Sequence, residues 1–482
     1  MTKKYVEKKD NVKETSDQST KYLNGKPIDT SIAGKTPLHL AAEKGNLYLT
    51  ARLLLSEGAD LNAQDEEGWT PLHYAASSGN IGVVKLLVDK GADLSITDYH
   101  HKEGTPMFYA FQNGHTDMCN IIEKYLVDKK DVKNDEGNTP LHLAVEEGNL
   151  EAVKHLIEKG ADINAVNRYG YTSLYIAAYK GSTDIAVYLV EKCANINDNI
   201  LHVASNLDIV RYFIAEGANI NATEENGETF LHIAAIDGKL EIVQYLVEEK
   251  NFNINAANKK GNTVLHHAAH GGCEKTARYL VEKGANVKAT NRHGITPLHI
   301  AAFCGYSYVV ENLIEDGADK NAISSNGCTL AHYAAIGDES GMSCVLEYLV
   351  EEEGVNFNAT DNLGSTPLHW AAYWCNSEVV EYLVEKRNVD INVTDNEGRT
   401  PLHWAAYHAN IDLVKYFIER GAEIKATKKY GNTPLHYALN GRWKDNYLEV
   451  VEYMAGTRKL TIPENVENVE KDSLDIIKYD FY

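Results

Sequence analysis

The 482 residues should fold as an all-α solenoid of stacked repeats. Three features lead there. A tetrapeptide, T-P-L-H or a close variant, recurs with its last residue at His39, His73, Phe108, His142, Tyr175, His202, His232, His266, His299, His332, His369, His403 and His436. These thirteen copies lie mostly 33 or 34 residues apart, the period of a repeat array. A chain this long exceeds one ordinary compact core, and its 44% hydrophobic content is not that of a disordered polymer.

Each part of the repeat has a local physical reason. Thr is a good helix N-cap and Pro suits the first helical position, so T-P starts a helix. The Ala-Ala that usually follows lets neighbouring helices approach closely. Gly six residues after the His can take the left-handed conformation that ends a helix. A stretch such as LEIVQYLV (240–247) then carries apolar residues at i, i+2, i+3, i+5, i+6 and i+7, a broad buried face on a second helix. The Gly of GAD ends that helix, and INAxDxxG reads as an extended arm and tight turn. Two short helices cannot bury their apolar faces alone, so each pair must stack on its neighbours.

The pattern resembles the ankyrin repeat family. The resemblance is carried by GKTPLHLAAEKGN (34–46), GWTPLHYAASSGN (68–80), GNTPLHLAVEEGNLEAVKHLIEKGADINA (137–165) and GRTPLHWAAYHANIDLVKYFIERGAEIKA (398–426), and it covers roughly residues 28–455. It implies a curved stack of about thirteen helix-turn-helix repeats with short β-turn fingers, the fingers and first helices lining a concave surface. It also implies a structural histidine in the T-P-L-H slot, its ring hydrogen-bonded to backbone near the finger. The expected function is a non-enzymatic protein–protein interaction scaffold. The style of the copies is similar to ankyrin proteins of obligate intracellular bacteria. The expected location is cytoplasmic, or the host cytosol if the protein is exported as an effector.

Composition narrows the partners. The formal net charge of −22 repels nucleic acid and anionic lipid at long range. No apolar run approaches the ~18 residues a membrane helix needs, and the first residues lack the apolar core of a signal peptide. Seven cysteines without a C-x-x-C pair fit a reducing compartment. No G-x-S-x-G, Walker A or G-x-G-x-x-G motif is present, so no catalytic residue, cofactor or enzyme is expected. His266 and His270, at i and i+4, have chelating spacing, but His266 is the motif histidine and no H-E-x-x-H follows, so no metal is expected.

The candidate partner-binding residues sit four and five positions after the motif histidine. Early copies are polar there: Glu43-Lys44, Ser77-Ser78, Gln112-Asn113 and Glu146-Glu147. Later copies carry Phe303-Cys304, Ile336-Gly337, Tyr373-Trp374 and Tyr407-His408. Trp370, Tyr373 and Trp374 share one helix face, and Trp404, Tyr407 and His408 repeat the pattern. Trp370 and Trp404 also stand where other copies have Leu40, Leu143 and Ile300, which is a core position. With finger residues Ile295, Leu363 and Arg399 flanking, the stripe across repeats nine to twelve should hold a protein or peptide segment; the alternatives are a secreted effector or targeting subunit of an enzyme or toxin, and self-association (a homo-oligomer) through the same stripe. Tyr169, Tyr171 and Tyr179 in the fifth copy form a second candidate. Cys375 and Ala409 replace the turn glycine, so these turns should be reshaped or the helices longer.

The expected organisation is a polar N-terminal segment (1–26), repeats one to five (27–194), repeats six to thirteen (195–455) and an acidic tail (456–482) that is a cap helix or an export signal. GDESGMSC (337–344) and GRWKDNY (441–447) are insertions. NINDNILHVASNLDIV (195–210) is a truncated sixth copy: five residues separate Ile196 from His202, against eleven between Ile163 and Tyr175. Its finger should be absent, by drift or as a seam between two blocks.

Overall fold

The computed structural model describes residues 34–458 apart from 56–58, 95, 100–103, 116–132, 135, 198, 338–341, 428–430 and 442–446, together with the antiparallel pair Tyr22–Leu23 and Lys26–Pro27. Most of the N-terminal segment, half of the insertion 337–344, most of the insertion 441–447 and the tail beyond residue 458 lie outside the described residues. The chain divides into two units, residues 1–218 and 219–482. Each is a series of paired helices in which a helix packs on its counterpart in the adjoining repeat.

The first helix of a repeat spans seven residues in most copies, as in Pro71–Ser77, Pro140–Glu146 and Pro401–Tyr407. Its start is a capping box in which histidine takes the place usual for Glu or Gln. The N-cap threonine is extended, proline follows, and the threonine N–H donates to His Nδ1 at 3.0–3.2 Å. An accepting Nδ1 leaves the proton on Nε2. That Nε2–H donates to the next finger: His39 to Trp69 O, His142 to Tyr171 O, His266 to Ile295 O and His369 to Arg399 O, at 2.9–3.0 Å. The motif histidine thus caps its own helix and ties down the following turn.

The second helix is nine residues long in most copies and buries one stripe, such as Val83, Val84, Leu87 and Val88 of Ile81–Asp89 or Leu413, Val414 and Phe417 of Ile411–Glu419. Each fully buried aliphatic side chain is worth roughly 1.5–3 kcal/mol relative to exposure. In the seventh and eleventh repeats, spaced 34 residues to the next motif, the helix widens into a π-turn at Tyr245–Glu249 and Tyr382–Lys386. The extra residue is taken up there, and Asn251 (φ 54°) and Asn388 (φ 51°) make the left-handed exit.

Most fingers are hairpin turns held by one Asx side chain, with Ser324 Oγ in that role in the tenth. Asp65 Oδ1 accepts from the amides of Glu67 and Trp69, Asn291 Oδ1 from those of His293 and Ile295, and Asp361 Oδ1 from those of Leu363 and Ser365, at 2.8–3.0 Å. The turn glycines, for example Gly68 at φ 83°, supply the left-handed step.

The sixth repeat departs from this plan. Asn195 N keeps the usual bond to Asn164 Oδ1 at 2.8 Å, but no finger follows. The first helix is reduced to Ile200–Val203, and Leu207–Ala215 follows after a short link in which Ser205 N donates to Ala178 O of the fifth repeat.

Candidate partner-binding face

The tenth to thirteenth repeats place aromatic rings at one slot directly after the motif histidine: Tyr333, Trp370, Trp404 and Tyr437, all fully buried. Successive rings meet, Tyr333 with Trp370 at 6.5 Å and Trp404 with Tyr437 at 5.8 Å between centroids. Tyr373 bridges to Trp404 at 5.2 Å and to His408 at 4.6 Å, and Tyr407 reaches Tyr437 at 6.3 Å. The array therefore carries two aromatic runs under this face of the second unit, Tyr333–Trp370 and Tyr373–Trp404–Tyr437. Edge-to-face pairs of this kind add about 0.5–1.5 kcal/mol each beyond the area they bury.

Its polar attachments are specific. Trp370 Nε1 donates to Asp361 Oδ2 at 3.0 Å. In the next repeat Asp395 Oδ2 is taken by Arg399 Nε at 2.5 Å, and the Arg399 guanidinium lies 4.7 Å over the Trp404 ring. Arg399 and Asp395 are both buried, a paired charge rather than a free one.

The stripe read from the sequence separates into two layers. Ile295, Ile336, Trp370, Tyr373, Arg399 and Trp404 are buried, so in this chain they are backing and offer no open surface. For Ile295, Ile336, Tyr373 and Arg399 this corrects the expectation of a partner contact. Tyr373 is only 3% exposed because Trp404 and His408 of the following repeat close over it. Phe303, Trp374, Tyr407 and His408 are half-buried, and Leu363 stands exposed at the finger tip. These five are the part of the stripe that solvent, or a partner, can touch.

The turns after these helices are not reshaped, contrary to the expectation from their missing glycines. The helices end at Tyr373 and Tyr407, and Cys375 (φ 60°) and Ala409 (φ 52°) adopt the left-handed conformation themselves. Each accepts a backbone cost of ~1 kcal/mol to keep the standard exit. Trp374 and His408 accordingly sit at ordinary C-cap positions.

A pocket of about 290 Å³ on the same unit was not legible as a site in the sequence. Ile233, Ile236 and Ile300 wall it, with His267, His270 and Glu228 among its polar groups. His267 occupies the slot that holds Trp370 and Trp404 later in the array. Burial pushes its pKa down to about 3, helped by His232, His266 and His270, so it is neutral, with Nε2 3.6 Å from Glu228 Oε1. The adjacent His-His in the sequence was the available signal. His266 itself has both ring nitrogens engaged, by Thr263 N–H and by Ile295 O, which removes it as a metal ligand. Among the described residues no three His, Cys, Asp or Glu side chains converge as a metal-binding group.

In the first unit, the second aromatic candidate is a stack: Tyr169 to Tyr171 at 5.9 Å, then Tyr171 to Tyr175 at 4.2 Å with rings 4° from parallel. Tyr169, Tyr171 and Tyr179 are exposed by 54%, 39% and 65%.

Comparison with known proteins follows the same periodicity. A family model described as ankyrin repeats in three copies matches residues 12–98, 94–167, 200–291, 252–324, 298–395 and 387–462, and a single ankyrin repeat model matches 169–199. The chain is 31% identical to mouse rabankyrin-5 over 144 residues, covering 30% of this chain and 12% of that protein. It is 31% identical over 148 residues to a putative ankyrin repeat protein of fowlpox virus, covering 30% and 33%. It is 30% identical over 222 residues to the mouse B-cell lymphoma 3 protein homolog, covering 44% of each. The chain thus spans less than half the length of each of these relatives. No described helix is long and apolar enough to cross a membrane.

Proposed function

The chain belongs to the ankyrin-repeat family, and from that premise we propose that it is a non-enzymatic scaffold holding a protein or peptide segment on the first-helix and finger face of repeats nine to twelve. The observation that carries this reading is the layering of the stripe. Trp374, Tyr407, His408, Phe303 and Leu363 are open to solvent, and the first three rest on the buried rings of Tyr373 and Trp404. Interface anchors are enriched in Trp and Tyr because these bury large area with few rotatable bonds. The net charge of −22 argues against nucleic acid as the partner. The described cysteines are all free thiols, which supports a reducing, cytoplasmic setting.

The test replaces Trp374 and Tyr407 with Ser and Leu363 with Asp, leaving Tyr373 and Trp370 intact because their loss would hollow the core. Affinity capture from cell extract is compared with wild type after circular dichroism confirms the fold. Loss of captured proteins is expected; unchanged recovery sinks the assignment of this face. Light scattering of the same pair distinguishes capture of another protein from self-association.

A further inference from the structure

The fifth finger lacks the neighbour that other fingers have. In seven fingers the carbonyl of the residue before the turn glycine accepts a backbone N–H from the next finger. Tyr99 donates to Glu67, Arg168 to Glu136, Lys259 to Asn226 and Asn396 to Leu363 in this way, at 2.8–3.0 Å. Tyr169 holds that position in the fifth finger, and among the described residues no N–H donates to its carbonyl. The turn glycines agree. A Cβ added at Gly68, Gly137, Gly261 or Gly294 would meet the next finger's backbone nitrogen at 2.7–3.1 Å, whereas at Gly170 it meets nothing within 4 Å. The cause is the sixth repeat, which runs from Asn195 into Ile200–Val203 without a finger.

Beside that carbonyl, Tyr169 and Tyr171 are exposed by 54% and 39%. Tyr171 lies flat on Tyr175, Tyr169 adjoins Tyr171, and the Arg168 guanidinium sits 4.8 Å over the Tyr169 ring. All of these residues belong to the first unit. We propose that this slot docks a turn from another protein, which completes the finger ladder in trans. One main-chain amide of that turn donates to the Tyr169 carbonyl, and a proline or aromatic side chain packs against the exposed rings of Tyr169 and Tyr171. The array itself identifies the occupant: at seven equivalent edges the same carbonyl takes the amide of a short turn. Strand or turn addition of this kind draws affinity from main-chain bonds and selectivity from the side-chain wall. A flat ring is selected because a tyrosine stack offers ring faces and edges rather than a deep apolar hole. The slot is distinct from the stripe of repeats nine to twelve, so the fate of one assignment does not decide the other.

A displayed library of turn-forming peptides, selected on the full-length chain, tests this. The counter-screen uses a chain in which residues Ala165–Gly170 are duplicated after Asn197, restoring the finger in cis. Peptides carrying Pro or an aromatic residue should be enriched, lose about tenfold in affinity with Tyr171→Ala, and fail to bind the restored chain. Hydrogen exchange should show their protection across residues 166–176. The proposal is overturned if no peptide is enriched, if the restored chain binds equally, or if protection falls elsewhere. It is also overturned if Tyr171→Ala and Tyr179→Ala, both exposed changes that keep the fold, abolish a self-association of the chain instead.

Discussion

The indole N–H of Trp370 donates to the Asp361 carboxylate at 3.0 Å across nine residues of sequence. Trp404 occupies the same slot one repeat later, yet its Nε1 is buried with no hydrogen-bond partner among the described residues, because Arg399 has taken Asp395. The two tryptophans are equal in burial and unequal in bonding. Trp370→Phe should therefore destabilise the array by about 1.5–3 kcal/mol more than Trp404→Phe, the range for a hydrogen bond to a charged group. Urea denaturation of the two variants side by side measures the difference; equal losses would show that Asp361 contributes nothing through this bond.

The motif histidines set an acid limit. Burial pushes His73, His232, His266 and His403 down to about 4 from 6.5. A histidine depressed in the folded state favours folding when neutral. Its contribution is complete above pH 6.5 and is lost as pH falls toward 4. Between those limits each such histidine lowers folding stability by about 1.4 kcal/mol for each unit the pH falls. Denaturation midpoints should fall steeply from pH 6.5 to 4.5 and stay flat from pH 7 to 8. A flat profile through pH 5 would mean that the rings are solvated.

Ala409 is left-handed at φ 52° where most copies have glycine. Ala409→Gly should raise stability by about 0.5–1 kcal/mol, since the strain removed exceeds the entropy glycine adds to the unfolded chain. Thermal or chemical denaturation reports it. A loss of stability would show that the Ala409 methyl, which is buried, contributes more by packing than the backbone loses.

The helix Ile200–Val203 has four residues where its counterparts have about seven, and it lacks the finger that would brace it. Its amides should exchange faster than those of Pro140–Glu146 in the same unit, by native-state hydrogen exchange. Equal protection would mean that the link through Ser205 to Ala178 compensates for the missing contacts.

Most of the architecture was legible because each local signal agreed with the others. Threonine, proline and histidine act within four residues, so the capping box can be read off T-P-L-H. The missing finger could be counted from Ile196 to His202. What escaped was anything decided by the next repeat. Tyr373 occupies a slot that is polar in early copies, and only Trp404 and His408, over thirty residues away, make it core. Arg399 read as a finger residue flanking the stripe, and only Asp395 and Trp404 show it enclosed. Cys375 looked like a broken turn, because propensity alone does not show that neighbouring packing can hold a strained residue in place.

The wide turns at Tyr245–Glu249 and Tyr382–Lys386 have a consequence for how such a chain can vary. A one-residue insertion in a helix would ordinarily rotate everything beyond it by about 100° and turn the buried stripe outward. Here the surplus residue is swallowed within one turn, and the motif that follows begins in step with its predecessors. Spelling errors of a single residue are therefore corrected inside the copy that carries them, leaving the reading frame of the stack intact for every copy downstream.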